Sequence, residues 1–106
     1  NIYPLEIEEK MLQHPSVSEV AVVGIPDKTW GEVGVAVCVW REKDKIPELE
    51  MKTWLKDKIA NYKVPKRIFF WDALPKSSYG KIAKRVIREK LYEGDYLTEK
   101  KESLIL

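Results

Sequence analysis

Apolar residues along this chain fall into two patterns, one spaced as on a helix face and one nearly continuous. Pro4 stands where a first helical turn tolerates proline, and Glu6, Glu8 and Glu9 follow it as acids that favour a helix N-terminus. Leu5, Ile7, Met11 and Leu12 give the helix an apolar stripe, and His14-Pro15 predicts its end. Residues 17–25 read instead as a strand. Val20, Ala21, Val22 and Val23 form an unbroken apolar run, which implies burial on both faces. Pro26-Asp27 predicts the end of that strand and places Gly31 in a loop. Residues 33–40 repeat the pattern, and the short link between the two runs predicts an antiparallel pair.

A charged turn is expected over 41–45. Leu49, Trp54, Leu55 and Ile59 then recur at helical spacing and predict a helix over 48–60. Lys63-Val64-Pro65-Lys66 reads as a connector, and 67–71, with Ile68, Phe69 and Phe70, as a short third strand. Pro, Ser and Gly mark 74–81 as a loop. Ile82, Val86, Ile87 and Leu91 predict a basic amphipathic helix over 82–92, with Gly94 as its stop. The charged tail over 94–106 is expected to be partly disordered or loosely docked. The order α-β-β-α-β-α gives an α+β fold, a small mixed three-stranded sheet flanked by helices.

With 106 residues the chain has room for one compact domain with a modest core. Its formal net charge of +2 gives no global mark of a nucleic-acid binder. The one cysteine, Cys38, lies inside an apolar run, where a thiol acts as a small hydrophobe. It excludes an intrachain disulfide framework and makes a reducing, cytoplasmic compartment the default. No apolar run reaches the roughly 20 residues of a membrane span. The start at Asn1 without Met, directly in an ordered pattern, is what a piece of a longer protein would show. His14 is expected to end a helix rather than bind metal, and no metal ligands are assigned.

One segment has a composition suited to chemistry. Pro75-Lys76-Ser77-Ser78-Tyr79-Gly80-Lys81 combines hydroxyls, a glycine and two lysines ahead of a helix. A lysine ammonium on a long stem can follow charge that develops on a phosphoryl group. Gly80 would let the backbone turn sharply before Lys81. The segment is not a phosphate-binding loop of the GxxxxGK[ST] type, because the upstream glycine is missing. On chemistry alone, a Gly-Lys pair before a basic helix is usually a solvated loop. Lys84, Arg85 and Arg88 read as surface charge.

Four segments together resemble the C-terminal domain of the adenylate-forming enzyme superfamily. Asn1-Ile2-Tyr3-Pro4-Leu5-Glu6-Ile7-Glu8 resembles the end of its hinge motif, G-x-N-I-x-P-x-E-I-E. Val22-Val23-Gly24-Ile25-Pro26-Asp27, with Trp30-Gly31-Glu32, resembles its V-G-x-P-D-x-x-x-G-E loop. Tyr62-Lys63-Val64-Pro65 is similar to its Y-K-x-P connector, and Leu74 through Lys81 to its L-P-[KR]-[ST]-x-[ST]-G-K motif. The resemblance runs from residue 1 to about residue 93, in matching order and spacing, and is nearest to AMP-forming acyl-CoA synthetases.

The resemblance implies a C-terminal lid domain over 1–93 and a tail over 94–106. It implies that Lys81 is the adenylation lysine, in a loop where Ser78 and Gly80 face ATP or the adenylate. It implies that Trp30, Tyr62 and Lys66 lie against the nucleotide end of CoA. ATP, Mg2+ and CoA would serve the full-length enzyme, whose own N-terminal domain is the main partner and whose substrate is a carboxylic acid, fatty acids foremost. No nucleic-acid partner is implied, and the isolated chain is expected to be inactive. Two positions depart from the pattern: Val64 stands where some CoA ligases have Arg, and Tyr79 replaces a small hydroxyl residue. Trp30 could instead cap the hairpin core, Tyr62 could be a connector aromatic, and Glu32 could fix its loop. Two other readings stay open, the lid of a carrier-protein-loading adenylation domain and a non-enzymatic α+β interaction module.

Overall fold

The computed structural model describes residues 2–41 and 45–94. The charged turn expected over 41–45 lies mostly outside these residues, and the expected tail lies outside them beyond Gly94. The elements are α1 (Pro4–Leu12), β1 (Val17–Asp27), β2 (Gly31–Trp40), α2 (Glu48–Lys56), a single 3-10 turn (Asn61–Lys63), β3 (Arg67–Phe70) and α3 (Lys84–Glu93). This is the α+β order read from the sequence. The chain divides into two compact units, Asn1–Leu74 and Pro75–Leu106.

The first unit holds the sheet, in the order β1-β2-β3. β1 and β2 pair antiparallel, and β3 adds in parallel to β2, so the sheet is mixed. Ile7 and Met11 of α1 and Met51 and Leu55 of α2 join Val20, Val22, Ala36, Cys38 and Ile68 in one core. The alternate strand residues Ala21, Val23, Val35 and Val37 are also buried, as the unbroken apolar runs require. Burial pushes the Cys38 thiol up to about 12, so it stays neutral and packs as a hydrophobe.

Each outer strand of a sheet exposes unpaired backbone groups that must find partners. Here helical glutamates supply them on both edges. Glu8 of α1 accepts the Val22 amide of β1 at 2.8 Å. Glu48 of α2 accepts the Ile68 amide of β3 at 2.8 Å and pairs with Arg67 Nε at 2.9 Å. Partial burial raises the Glu48 carboxyl, but the Ile68 amide, Arg67 and Lys52 outweigh it and hold the group below its ordinary value.

Several boundaries differ from the sequence reading. β1 runs through Pro26 to Asp27, and β2 begins at Gly31. The proline is tolerated because β1 is an edge strand. Amides two and four residues apart point the same way, and the Val22 amide points outward to Glu8, so Pro26 lacks only an outward N–H. α2 stops at Lys56 because Asp57 and Lys58 turn back on the carbonyls of Trp54 and Leu55. Ile59 stays buried beyond the helix, which is why the apolar spacing overshot the end. α3 starts at Lys84 rather than Ile82, since the backbone before it is already committed to other pairs.

Those pairs form a small hairpin that opens the second unit. The Ala83 amide donates to Pro75 O (2.9 Å), Lys76 bridges Ile82 antiparallel, and the Ser77 amide donates to Lys81 O (2.7 Å). At the tip the Gly80 amide donates to Ser77 O (2.9 Å), and Gly80 has φ 79°. A three-residue hairpin loop closes in this way when its last residue is left-handed, which favours glycine. The loop assignment for 74–81 therefore holds, with a ladder inside it that the composition did not reveal.

Two predictions follow from these contacts. Removing the β3 edge partner with Glu48→Ala should lower unfolding free energy by about 1–3 kcal/mol at pH 7, measured by urea denaturation. A carboxyl held low stabilises the fold above its ordinary value of 4.5 and loses that effect as pH falls through its lowered value. The gap between wild type and variant should therefore narrow in acid; a gap constant down to strongly acidic pH contradicts the assignment. For the hairpin, a Cβ at Gly80 would meet no atom within 4 Å, so Gly80→Ala should cost only the left-handed backbone penalty. That penalty, roughly 1–2 kcal/mol, should speed hydrogen exchange at the Ser77 amide roughly tenfold and leave amides of β1 and β2 unchanged.

Candidate functional site

The first unit carries a groove of about 370 Å³ whose lining includes Trp30, Glu32, Tyr62, Lys63, Val64 and Lys66. Three of the residues singled out in the sequence, Trp30, Tyr62 and Lys66, thus meet on one surface although 36 positions separate the first from the last.

Each is positioned by a local device. Asp27 Oδ2 accepts the amides of Thr29 (3.0 Å) and Trp30 (2.9 Å), which curls the turn after β1. The indole is thereby left 70% exposed, so Trp30 does not cap the hairpin core. Tyr62 lies in the 3-10 turn, 73% exposed, with its ring edge-on to Tyr3 at 6.1 Å. Two large exposed aromatics beside a groove, Trp30 and Tyr62, offer flat area for a planar ligand.

The two lysines of the groove differ in their state. Lys63 Nζ bonds Glu6 Oε1 at 2.8 Å and lies 4.6 Å from the Tyr3 ring centroid and 5.7 Å from that of Tyr62. Its pKa is raised, first by the hydrogen bond to Glu6, so its charge is held inside the protein's own structure. Lys66 is anchored through its backbone: its amide donates to Gly34 O at 2.8 Å, and its carbonyl accepts from Lys52 Nζ. Among the described residues no carboxylate pairs with Lys66 Nζ, which leaves that ammonium available to an anion. Val64 presents an apolar side chain to the same groove.

The sequence offers Tyr3 only as part of a matching segment, Glu6 as an acid at a helix start and Lys63 as a connector residue. Their mutual contacts, which frame the groove, were not legible there. The signal was present as an acid after Pro4 and a lysine after Tyr62, yet nothing local joins residues 57 positions apart.

Ser78, Gly80 and Lys81 belong to the hairpin of the second unit, and all three are exposed. Lys81 directly follows the hairpin's tip, its carbonyl fixed by the Ser77 amide and its side chain reaching solvent. Tyr79, where the resembled motif has a small hydroxyl residue, is 90% exposed at the tip, and its amide meets Ser77 Oγ at 3.3 Å. The tip thus has room for the larger ring.

His14 Nδ1 accepts the Ser16 amide at 3.0 Å, and its ring meets Trp54 edge-on at 4.9 Å, as a helix-end residue would. Among the described residues no group of three or more His, Cys, Asp and Glu is arranged to hold a metal ion. No helix among them is long and apolar enough to cross a membrane.

Known proteins agree with the motif pattern. The AMP-binding enzyme C-terminal domain family matches residues 6–81. A feruloyl-CoA synthase from Amycolatopsis is 44% identical over 90 residues, which covers 85% of this chain and 18% of that protein. A long-chain-fatty-acid–CoA ligase from Mycobacterium tuberculosis is 42% identical over 89 residues, 84% of this chain and 18% of the relative. Among solved structures, a Mycobacterium tuberculosis fatty acyl CoA synthetase superposes with a TM-score of 0.78 at 41% identity, covering 85% of this chain and 18% of that one. ATP-bound MatB from Rhodopseudomonas palustris does so with a TM-score of 0.81 at 37% identity, covering 86% and 18%. The chain therefore spans less than a fifth of the length of these relatives. On its motifs, its fold and these matches, the chain belongs to the AMP-binding enzyme C-terminal domain family.

Proposed function

We propose that this chain is the mobile C-terminal domain of an AMP-forming acyl-CoA ligase, with adenylation and CoA binding served by its two units separately. The observation that carries the reading is the groove. It joins an exposed indole, an exposed phenol ring and an unpaired ammonium, the set that a purine nucleotide with phosphates would use. Stacking on Trp30 and Tyr62 would hold the adenine, and Lys66 would meet a phosphate of CoA. The names of the related proteins, CoA synthases and ligases, support the same acceptor.

Lys81 would serve the other half-reaction. ATP, bound with Mg2+ largely by the N-terminal domain, supplies the α-phosphate that the carboxylate attacks. The Lys81 ammonium would bridge the carboxylate and that phosphate, offsetting negative charge as they approach and keeping them in line. The hairpin ladder fixes the backbone on both sides of the lysine, while Ser78 and Gly80 would line the adenylate side of the loop. Rotation of the domain would exchange the hairpin for the groove at one active site. In this reading the acid pocket belongs to the N-terminal domain, and the 106-residue chain alone forms neither adenylate nor thioester.

The groove assignment is tested by Trp30→Ala in the intact ligase. Loss of a base–aromatic stack, worth roughly 1–3 kcal/mol, should raise the KM for CoA about 10–100-fold and leave carboxylate-dependent ATP–pyrophosphate exchange unchanged. An unchanged KM for CoA would remove the indole from the CoA face. A wild-type enzyme that forms adenylate but transfers no acyl group to free CoA would favour a carrier protein as acceptor.

A further inference from the structure

Glu32 lines the groove beside Trp30 and has no hydrogen-bond or ion-pair partner among the described residues. Glu32 is exposed at the start of β2, yet its carboxylate is not splayed away from the sheet. It folds back over Gly24, so closely that a Cβ at position 24 would lie 2.5 Å from Glu32 Oε2. Gly24 therefore makes the space in which the carboxylate rests. The cost of that arrangement is electrostatic: a fixed negative charge in a groove for a phosphorylated ligand repels the phosphates. The charge is compatible with such a ligand only where it meets a donor. A purine nucleotide has its phosphates at the ribose end and, in adenine, an exocyclic amine on the opposite edge of the base.

From this juxtaposition we propose that Glu32 is a specificity-determining residue that accepts a hydrogen bond from the 6-amino group of adenine. The base stacks on Trp30, Lys66 takes the phosphate end, and the Glu32 carboxylate selects purines that carry a donor at position 6. Lys63 plays no part in this selection, since Glu6 already holds its ammonium. The inference rests on the reading of the groove as a nucleotide face and adds the group that distinguishes one base from another.

The test uses the 106-residue chain, labelled for NMR and titrated with adenosine 3′,5′-bisphosphate and with purine riboside 3′,5′-bisphosphate. The second probe has hydrogen in place of the amine. A hydrogen bond to a charged acceptor predicts that the wild type binds the adenosine form about tenfold more tightly. Glu32→Ala should bring the two affinities within about twofold of each other. Lys66→Ala should weaken both while keeping their ratio. Equal binding of both probes by the wild type, or a ratio that survives Glu32→Ala, overturns the role of Glu32 while leaving the nucleotide face intact. Absence of shifts at Trp30, Tyr62 and Lys66 with either probe overturns the nucleotide face itself, and the Glu32 assignment with it.

Discussion

The hydrogen bond from the Val22 amide to the Glu8 carboxylate decides where the first helix lies along the sheet, and the groove follows from that position. β1 is an edge strand, and its outward amides would otherwise face water or another chain. Once Glu8 is tied there, Ile7 and Met11 turn into the core, and Glu6, one residue before Ile7, is presented to Lys63. Tyr3 then meets Tyr62 edge-on. Segments far apart in the chain are thereby joined by one carboxylate on a strand edge and one on a lysine. Glu48 does the corresponding work at β3, holding α2 to the other edge.

The Glu6–Lys63 pair also divides labour among the charges of the groove. A lysine bonded to a carboxylate and flanked by two aromatic rings is part of the wall. Lys66, three residues on, has its backbone fixed by Gly34 and Lys52 and its ammonium left over. Two lysines of the same connector thus differ in state, one bonded within the wall and one with its ammonium left over. In the second unit the same economy recurs. The Ser77–Lys81 ladder and the left-handed Gly80 hold the loop's backbone, and the Lys81 side chain remains exposed.

Much of the fold was legible because the apolar pattern is strong. The continuous runs of β1 and β2 and the helical spacing of Ile7 and Met11, and of Leu55 and Ile59, correspond to buried positions, whereas Leu5, Leu12 and Leu49, read onto the same stripes, are exposed. Boundaries failed where a tertiary fact overrode a local signal. Pro26 reads as a breaker until its strand is known to be at an edge, and Ile82 reads as helix until its bridge to Lys76 is known. The candidate site was legible only through motif resemblance, since nothing in the spacing of Trp30, Tyr62 and Lys66 says that they share a groove. Glu32 was read as a loop-fixing acid because its significance depends on Gly24, which lies across the hairpin.

In the proposed reading, one exposed lysine on the hairpin serves adenylation and has no part in thioester formation. Its most direct test is Lys81→Ala in the intact ligase, with the two half-reactions measured apart. Carboxylate-dependent ATP–pyrophosphate exchange should fall at least about 100-fold, the scale of losing one electrostatic stabiliser of the transition state. Transfer from pre-made acyl-adenylate to CoA should continue at near the wild-type rate. Exchange that persists undiminished in the variant would contradict the account and leave the hairpin as a structural element.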